Sequence, residues 1–262
     1  TKAIFFDIDG TLVSFDTHQI PASTVEAIAA AHARGIRMFI ATGRAPGFIN
    51  NLGALQDRGL IDGYVTMNGG YCYVGDEVLH KQVIPAPEVK AILDYCEAHR
   101  ITCTVVDEHH ICACYPSEAL RRVFVEYLHA KEVPGVTPAE ALRLIPDVCQ
   151  LSPFFDEEQE REIRPLLPNC EIGRWPPAFV DVSALGCNKQ LGIDLMCRRF
   201  GIDVTDTMAI GDGGNDIPML RHAGIGVAMG NANETVKAEA DYVTDTVDQD
   251  GIAKALQHFG LV

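Results

Sequence analysis

Short apolar runs alternate with stretches of helical periodicity over the first eighty residues of the chain. Ala3-Ile4-Phe5-Phe6 is wholly apolar, the pattern of a strand buried on both faces. Ile20-Pro21-Ala22-Ser23 leads into a predicted helix, with Ser23 and Glu26 spaced as a capping box and Gly35 closing it. Residues 36–41 and 64–67 read as further buried strands, the second followed by Asn68-Gly69-Gly70 and a hairpin over 71–83. Strands alternating with helices predict a parallel sheet covered on both faces, and so an α/β class.

Near Ile84-Pro85-Ala86-Pro87 the pattern changes. From there to residue 183 it predicts a helix, a strand pair over 101–107 and 110–115, one helix, and a strand over 148–153. A helix over 156–167 and two last strands complete the segment. Strands joined by a short turn are antiparallel, which makes this an α+β unit. The acidic run Asp156-Glu157-Glu158 opens a helix, where negative charge suits the dipole. After Asn188 the alternation resumes, with a helix over 189–200, strands over 207–210 and 225–229, and helices over 216–222 and near 233–239 and 249–258. The expected organisation is a parallel-sheet domain of residues 1–83 and 184–262, with an α+β domain of residues 84–183 inserted between its halves.

A chain of 262 residues exceeds the usual single domain, which agrees with that division. Its net charge of −15 argues against nucleic-acid and anionic-membrane partners, which need basic surface. No apolar run approaches membrane-spanning length, and the N-terminus passes directly into strand-like sequence without a signal peptide, so a cytoplasmic protein is expected. The oligomeric state is left open, a monomer included. The nine cysteines are odd in number and lack a Cys-x-x-Cys pair; Cys112 and Cys114 are the nearest to one another. Buried thiols in a reducing compartment fit that spacing better than disulfides or a metal site.

Candidate chemistry gathers at the carboxyl ends of the predicted parallel strands, where open α/β sheets place their ligands. Asp7-Ile8-Asp9-Gly10-Thr11 puts two like charges at the mouth of a buried strand. Solvated turn aspartates are one reading. Otherwise the pair needs a cation, or a division of labour between nucleophile and acid. Thr42 ends the second strand, and Asp212 and Asp216 stand four apart in Gly211-Asp212-Gly213-Gly214-Asn215-Asp216. Converging oxygen ligands without nearby histidines suit magnesium. With Thr42 and Lys189 beside them they suit a phosphoryl dianion. A lysine in the first turn of a helix opposes the dipole, so Lys189 is either held for chemistry or a surface residue.

Asp7-x-Asp9-Gly10-Thr11, Thr42-Gly43-Arg44, Lys189 and the 211–216 loop resemble the four ordered motifs of the haloacid dehalogenase superfamily. Met219-Leu220, Ala223-Gly224-Ile225-Gly226-Val227-Ala228-Met229-Gly230-Asn231-Ala232, Ala240-Asp241 and Asp250-Gly251-Ile252 resemble its Cof-like, class IIB branch, nearest to bacterial sugar-phosphate phosphatases. The resemblance implies a Rossmann-like core with an inserted α+β cap, magnesium, and a small phosphorylated metabolite as substrate. It implies Asp7 as nucleophile and metal ligand, and Asp9 as acid and base with its backbone carbonyl on the metal. Thr42 and Lys189 would hold the phosphoryl group, Lys189 also orienting Asp7. Asp212 would complete the metal shell, with Asn215 and Asp216 supporting the site; Gly43 and Asn215 also count among the substrate-side positions. Arg44 either helps bind the leaving group or caps a helix. Arg174 and Trp175 either contribute charge and stacking to a sugar or pack structurally. Asn68-Gly69-Gly70 reads as a structural turn, and His109-His110 as a solvated hairpin tip. Two other functions compete: a phosphomutase of the phosphomannomutase type, and a non-catalytic phosphoryl-binding regulatory module.

Overall fold

The computed structural model describes residues 1–129, 132–175 and 178–262, with the side chains of Tyr127 and Trp175 outside the description. In chain order the first elements are β1 (Ala3–Phe6), α1 (Ala22–Ala33), β2 (Arg37–Ala41), the short α2 (Gly53–Gln56), β3 (Gly63–Thr66), β4 (Tyr71–Val74) and β5 (Glu77–Lys81). Gly35 closes α1 with φ +86°, a conformation that costs glycine little. The start of α1 departs from expectation. Pro21 is its N-cap and no side chain caps it, because Ser23 already lies in the first turn and donates its hydroxyl to Asp250.

Next come α3 (Ala86–His99), β6 (Cys103–Val106), β7 (Ile111–Cys114), α4 (Glu118–Arg121), β8 (Gly135–Val136), α5 (Pro138–Leu144), β9 (Gln150–Pro153), α6 (Glu157–Ile163), β10 (Cys170–Trp175) and β11 (Phe179–Ala184). Where one helix is expected between 115 and 148, two form, with β8 between them. Thr137 restarts the helix through a capping box with Glu140, and Pro138 occupies the first turn. β8 pairs parallel to β7, so this sheet is not wholly antiparallel. Asp156 caps α6 as the acidic run predicts, and the α-helix gives way at Arg164-Pro165 to a 3₁₀ turn.

The chain ends with α7 (Lys189–Phe200), β12 (Thr207–Gly211), α8 (Ile217–His222), β13 (Ile225–Ala228), α9 (Glu234–Lys237), β14 (Tyr242–Val243) and α10 (Gly251–His258).

Two compact units result: Thr1–Thr42 with Asn50–His80 and Asn188–Val262, and Gly43–Ile49 with Lys81–Cys187. The first holds an eight-stranded sheet in the order β14-β13-β12-β1-β2-β3-β4-β5, parallel from β14 to β3, with β4 antiparallel to β3. β1 lies at its centre, every residue of it buried, and Phe5 stacks on Phe39 with ring centroids 4.9 Å apart. The second unit holds a six-stranded sheet in the order β10-β11-β9-β6-β7-β8. One face of that sheet, with Cys103, Val105, Cys112, Cys114, Leu151 and Val182, shares a core with Val89, Ile92 and Cys96 of α3. All nine cysteines are free thiols, and eight are buried, behaving as small apolar residues. Residues 43–49, placed by sequence in the first domain, pack with the second unit: Phe48 meets Phe124 edge-on at 6.2 Å. No helix among the described residues is long and apolar enough to cross a membrane.

Candidate active site

β1 pairs with β12 to its end, and one more ladder bond, Asp7 N–H to the Ile210 carbonyl at 3.0 Å, fixes Asp7 at the strand mouth. The chain then turns back on itself, with Gly10 and Val13 N–H groups donating to the Val13 and Ile8 carbonyls. Gly10 has φ +84°, and a Cβ there would stand 2.3 Å from Asp212 Oδ2. No other residue fits, on conformation and on space. Asp212, one residue past β12, is oriented from two sides. Thr11 donates its hydroxyl to Oδ1 at 3.0 Å, and Asn231 Nδ2 reaches Oδ2 at 3.3 Å while also donating to the Gly10 carbonyl at 2.8 Å.

Lys189 begins α7, whose N-cap is Asn188. It is fully buried, and its Nζ donates to Asp7 Oδ1 at 2.6 Å and Asp216 Oδ1 at 2.5 Å. The surface reading of this lysine is thereby excluded. Gly192, one turn on, lets the α7 backbone pack directly on the Val65 side chain of β3: a Cβ there would lie 2.3 Å from a Val65 methyl. Asp216 Oδ2 accepts the backbone N–H groups of Asp212 and Gly213 at 2.9 and 2.8 Å. Both oxygens of Asp216 are therefore engaged.

Carboxylate oxygens of Asp7, Asp212 and Asp216 lie within 4.8 Å of one another. Three acids against one lysine leave surplus negative charge in a buried place. Burial, then the neighbouring Asp216, pushes Asp7 up to about 7; burial, then Asp7, pushes Asp212 up to about 8. Burial works against the Lys189 charge, but Asp216 and Asp7 outweigh it and its pKa is raised. An oxygen-only donor set with this excess charge fits a hard divalent cation such as magnesium. Because Asp216 is occupied by Lys189 and two N–H groups, the carboxylates suited to the cation are Asp7 and Asp212. Asp9 is partly exposed and its backbone bridges to Val13.

Thr42 is buried at the end of β2, its N–H bonded to Val65 and its carbonyl to Asn68 N–H. Met67 and Asn68 both have positive φ, 49° and 52°, a strained pair of non-glycine residues, followed by Gly69 at 95°. The strained turn brings Asn68 Oδ1 to Asn215 Nδ2 at 3.1 Å, and a Cβ on Gly69 would lie 2.3 Å from the Asn188 carbonyl. This turn thus braces Asn215 and the entry to α7. Asn68, Thr11 and Asn231 have no role assigned by the sequence reading; an asparagine at the start of a diglycine turn was the one local signal for Asn68.

Gly43, Arg44 and Arg174 belong to the second unit. The Gly43 carbonyl accepts Gln150 Nε2 at 3.3 Å, and Arg44, buried, donates to the Phe48 carbonyl at 2.8 Å. Arg174 does not stand ready for a ligand: Nε and Nη2 donate to Glu160 Oε2 at 3.0 and 2.6 Å, and Nη1 to the Phe155 carbonyl at 3.0 Å. Those bonds favour its structural alternative. The Trp175 side chain lies outside the described residues.

A sequence profile for haloacid dehalogenase-like hydrolases matches residues 4–256. The solved structure of a subclass IIB sugar phosphatase, BT4131, is 58% identical with TM-score 0.97, covering 100% of both chains. A phosphoglycolate phosphatase of Methanopyrus kandleri is 31% identical over 98% of this chain and 96% of its own. The 5-amino-6-(5-phospho-D-ribitylamino)uracil phosphatase YcsE of Bacillus subtilis is 29% identical over 99% of this chain and 96% of its own.

Proposed function

The chain belongs to the haloacid dehalogenase-like hydrolase family, and we propose that it is a magnesium-dependent phosphatase of small phosphorylated metabolites, sugar phosphates foremost, working through an aspartyl-phosphate. The observation that carries this reading is the buried Lys189 bridging Asp7 and Asp216 beside Asp212. It supplies a carboxylate held in place as nucleophile and a cationic donor next to it. The similarity to a sugar phosphatase supports the substrate class.

In this reading an Asp7 oxygen attacks phosphorus while Asp9 gives its proton to the departing alkoxide. Asp9 then takes a proton from water, whose oxygen attacks phosphorus and releases phosphate, restoring Asp7. An ammonium has three N–H donors, and the two carboxylates use two, which leaves Lys189 one for a phosphoryl oxygen. Thr42 would bind a second. Asp7, Asp212 and the Asp9 carbonyl would hold magnesium, whose charge offsets that of the phosphoryl dianion. The first unit serves as catalytic core and the second as the cap that selects the leaving group. The free thiols support a cytoplasmic setting.

Phosphate release from hexose phosphates, nucleotides and flavin or pyridoxal phosphates tests this, with magnesium, with chelator and with Asp7→Asn. Magnesium-dependent release lost in the variant is expected. No release from any compound by folded, magnesium-supplied protein would overturn it and lead to assay for a bisphosphate-activated mutase.

A further inference from the structure

Thr66 of β3 pairs with Tyr71 of β4, so residues 67–70 close an antiparallel hairpin. Loops of that length are usually built around a type I turn, and left-handed positions in turns go to glycine. Gly69 and Gly70 are available for that purpose, yet Met67 and Asn68 are left-handed as well, at φ +49° and +52°. Asparagine tolerates this conformation better than most residues, and methionine poorly. Hairpin closure alone does not call for two strained residues, and strain of this kind collects at functional sites.

The conformation secures contacts outside the hairpin, all within the first unit. The Asn68 N–H donates to the Thr42 carbonyl at 3.0 Å, and Gly69 lies against the backbone of Asn188, directly before Lys189. Asn68 Oδ1 accepts Asn215 Nδ2 at 3.1 Å across 147 positions of sequence. The Asn215 amide oxygen lies over Gly213, where a Cβ would stand 2.6 Å from it. The amide is therefore fixed with its nitrogen toward Asn68. Turned over, its oxygen would face the Asn68 oxygen, and two acceptors repel. An amide nitrogen carries two N–H donors, and Asn68 takes one, which leaves the other for an anionic oxygen. Thr42, Lys189 and Asn215 are substrate-side positions in the reading above, and this one turn touches the loop of each.

We propose that Asn68 is a positioning residue for the phosphoryl group, keeping the Asn215 amide turned so that an N–H rather than the oxygen meets the dianion. This rests on the phosphatase reading above.

The test measures the inhibition constant of inorganic phosphate against p-nitrophenyl phosphate turnover, with magnesium present. It compares the native protein, Asn68→Gly, Asn215→Ala and the double variant. Glycine adopts a φ of +52° without strain, so Asn68→Gly should fold. Its inhibition constant for phosphate is expected to rise about tenfold, the scale of one hydrogen bond to a charged group. The double variant should bind phosphate no more weakly than Asn215→Ala, because Asn68 acts through Asn215. A constant within twofold of native in Asn68→Gly, with or without a lowered Tm, marks the turn as structural only and overturns the proposal. So do losses that multiply in the double variant; both outcomes leave the phosphatase intact. A native protein that releases phosphate from no compound overturns the phosphatase reading, and the proposal with it.

Discussion

Asp216 holds Asp212 by the backbone: its Oδ2 accepts the Asp212 N–H at 2.9 Å, while Oδ1 is kept for Lys189. One carboxylate thus positions the loop that carries a proposed metal ligand and the lysine that faces the proposed nucleophile. Asp216→Asn replaces one acceptor with an amide donor, which must face either Lys189 or two N–H groups. Loss of such an orienting partner typically costs 10–100-fold in metal affinity or activity. Titration of activity against magnesium should show the half-saturating concentration raised by about that factor, and a purely structural Asp216 would leave it unmoved.

Asp7 and Asp9 separate by leaving group. Asp7→Asn should lose turnover on every phosphoester. Asp9→Asn should lower kcat on a sugar phosphate by ~10²–10⁴, the usual worth of a general acid–base. With p-nitrophenyl phosphate the leaving group needs no proton, so only the hydrolytic half suffers. Rapid mixing should then reveal a p-nitrophenol burst approaching one per enzyme, followed by a slow steady rate.

Removing metal should make stability fall with pH. Asp7 and Asp212 are raised to about 7 and about 8 in the folded protein, so folding favours their protonated forms. That contribution is complete below the ordinary carboxylate range and is lost as pH rises through 7 and 8. Chelated protein should show a lower Tm at pH 9 than at pH 5. Added magnesium should restore most of that difference at pH 9 and add little at pH 5, where protons already occupy the site. Equal Tm values for the chelated protein at both pH values would contradict this electrostatic account.

Gly192→Ala should act on Lys189 from a distance. The added methyl would sit 2.3 Å from a Val65 side-chain carbon, so α7 or β3 must move. Overpacking of this kind costs roughly 1–3 kcal/mol. The expected result is a lowered Tm together with lowered kcat, both partly recovered when Val65→Ala is added.

The parallel sheet and the motif positions are legible because their causes are local. A strand buried on both faces must be continuously apolar, as 3–6 and 38–41 are, and charged or hydroxyl residues at its carboxyl end then stand out. The braces are not legible, since Asn68 and Asn231 look like ordinary turn residues until folding brings Asn215 and Asp212 to them. β8 is two residues long, too short for any periodicity, and the helix break before it needs the Thr137–Glu140 box to be recognised. Arg174 reads in sequence as a lone charge beside tryptophan, because its partner Glu160 is fourteen residues away on α6.

The bond from Lys189 to Asp7 spans 182 positions of sequence, and β12, which flanks β1 on one side, starts at residue 207. A chain emerging from the ribosome therefore completes residues 81–187 before either the counter-charge for Asp7 or the missing neighbour of β1 exists. Until then the central strand keeps one bare, apolar edge, and its aspartate has no ammonium to meet. Residues 1–80 therefore present an unpaired strand edge, the kind prone to wrong pairing, for as long as synthesis of residues 81–206 takes.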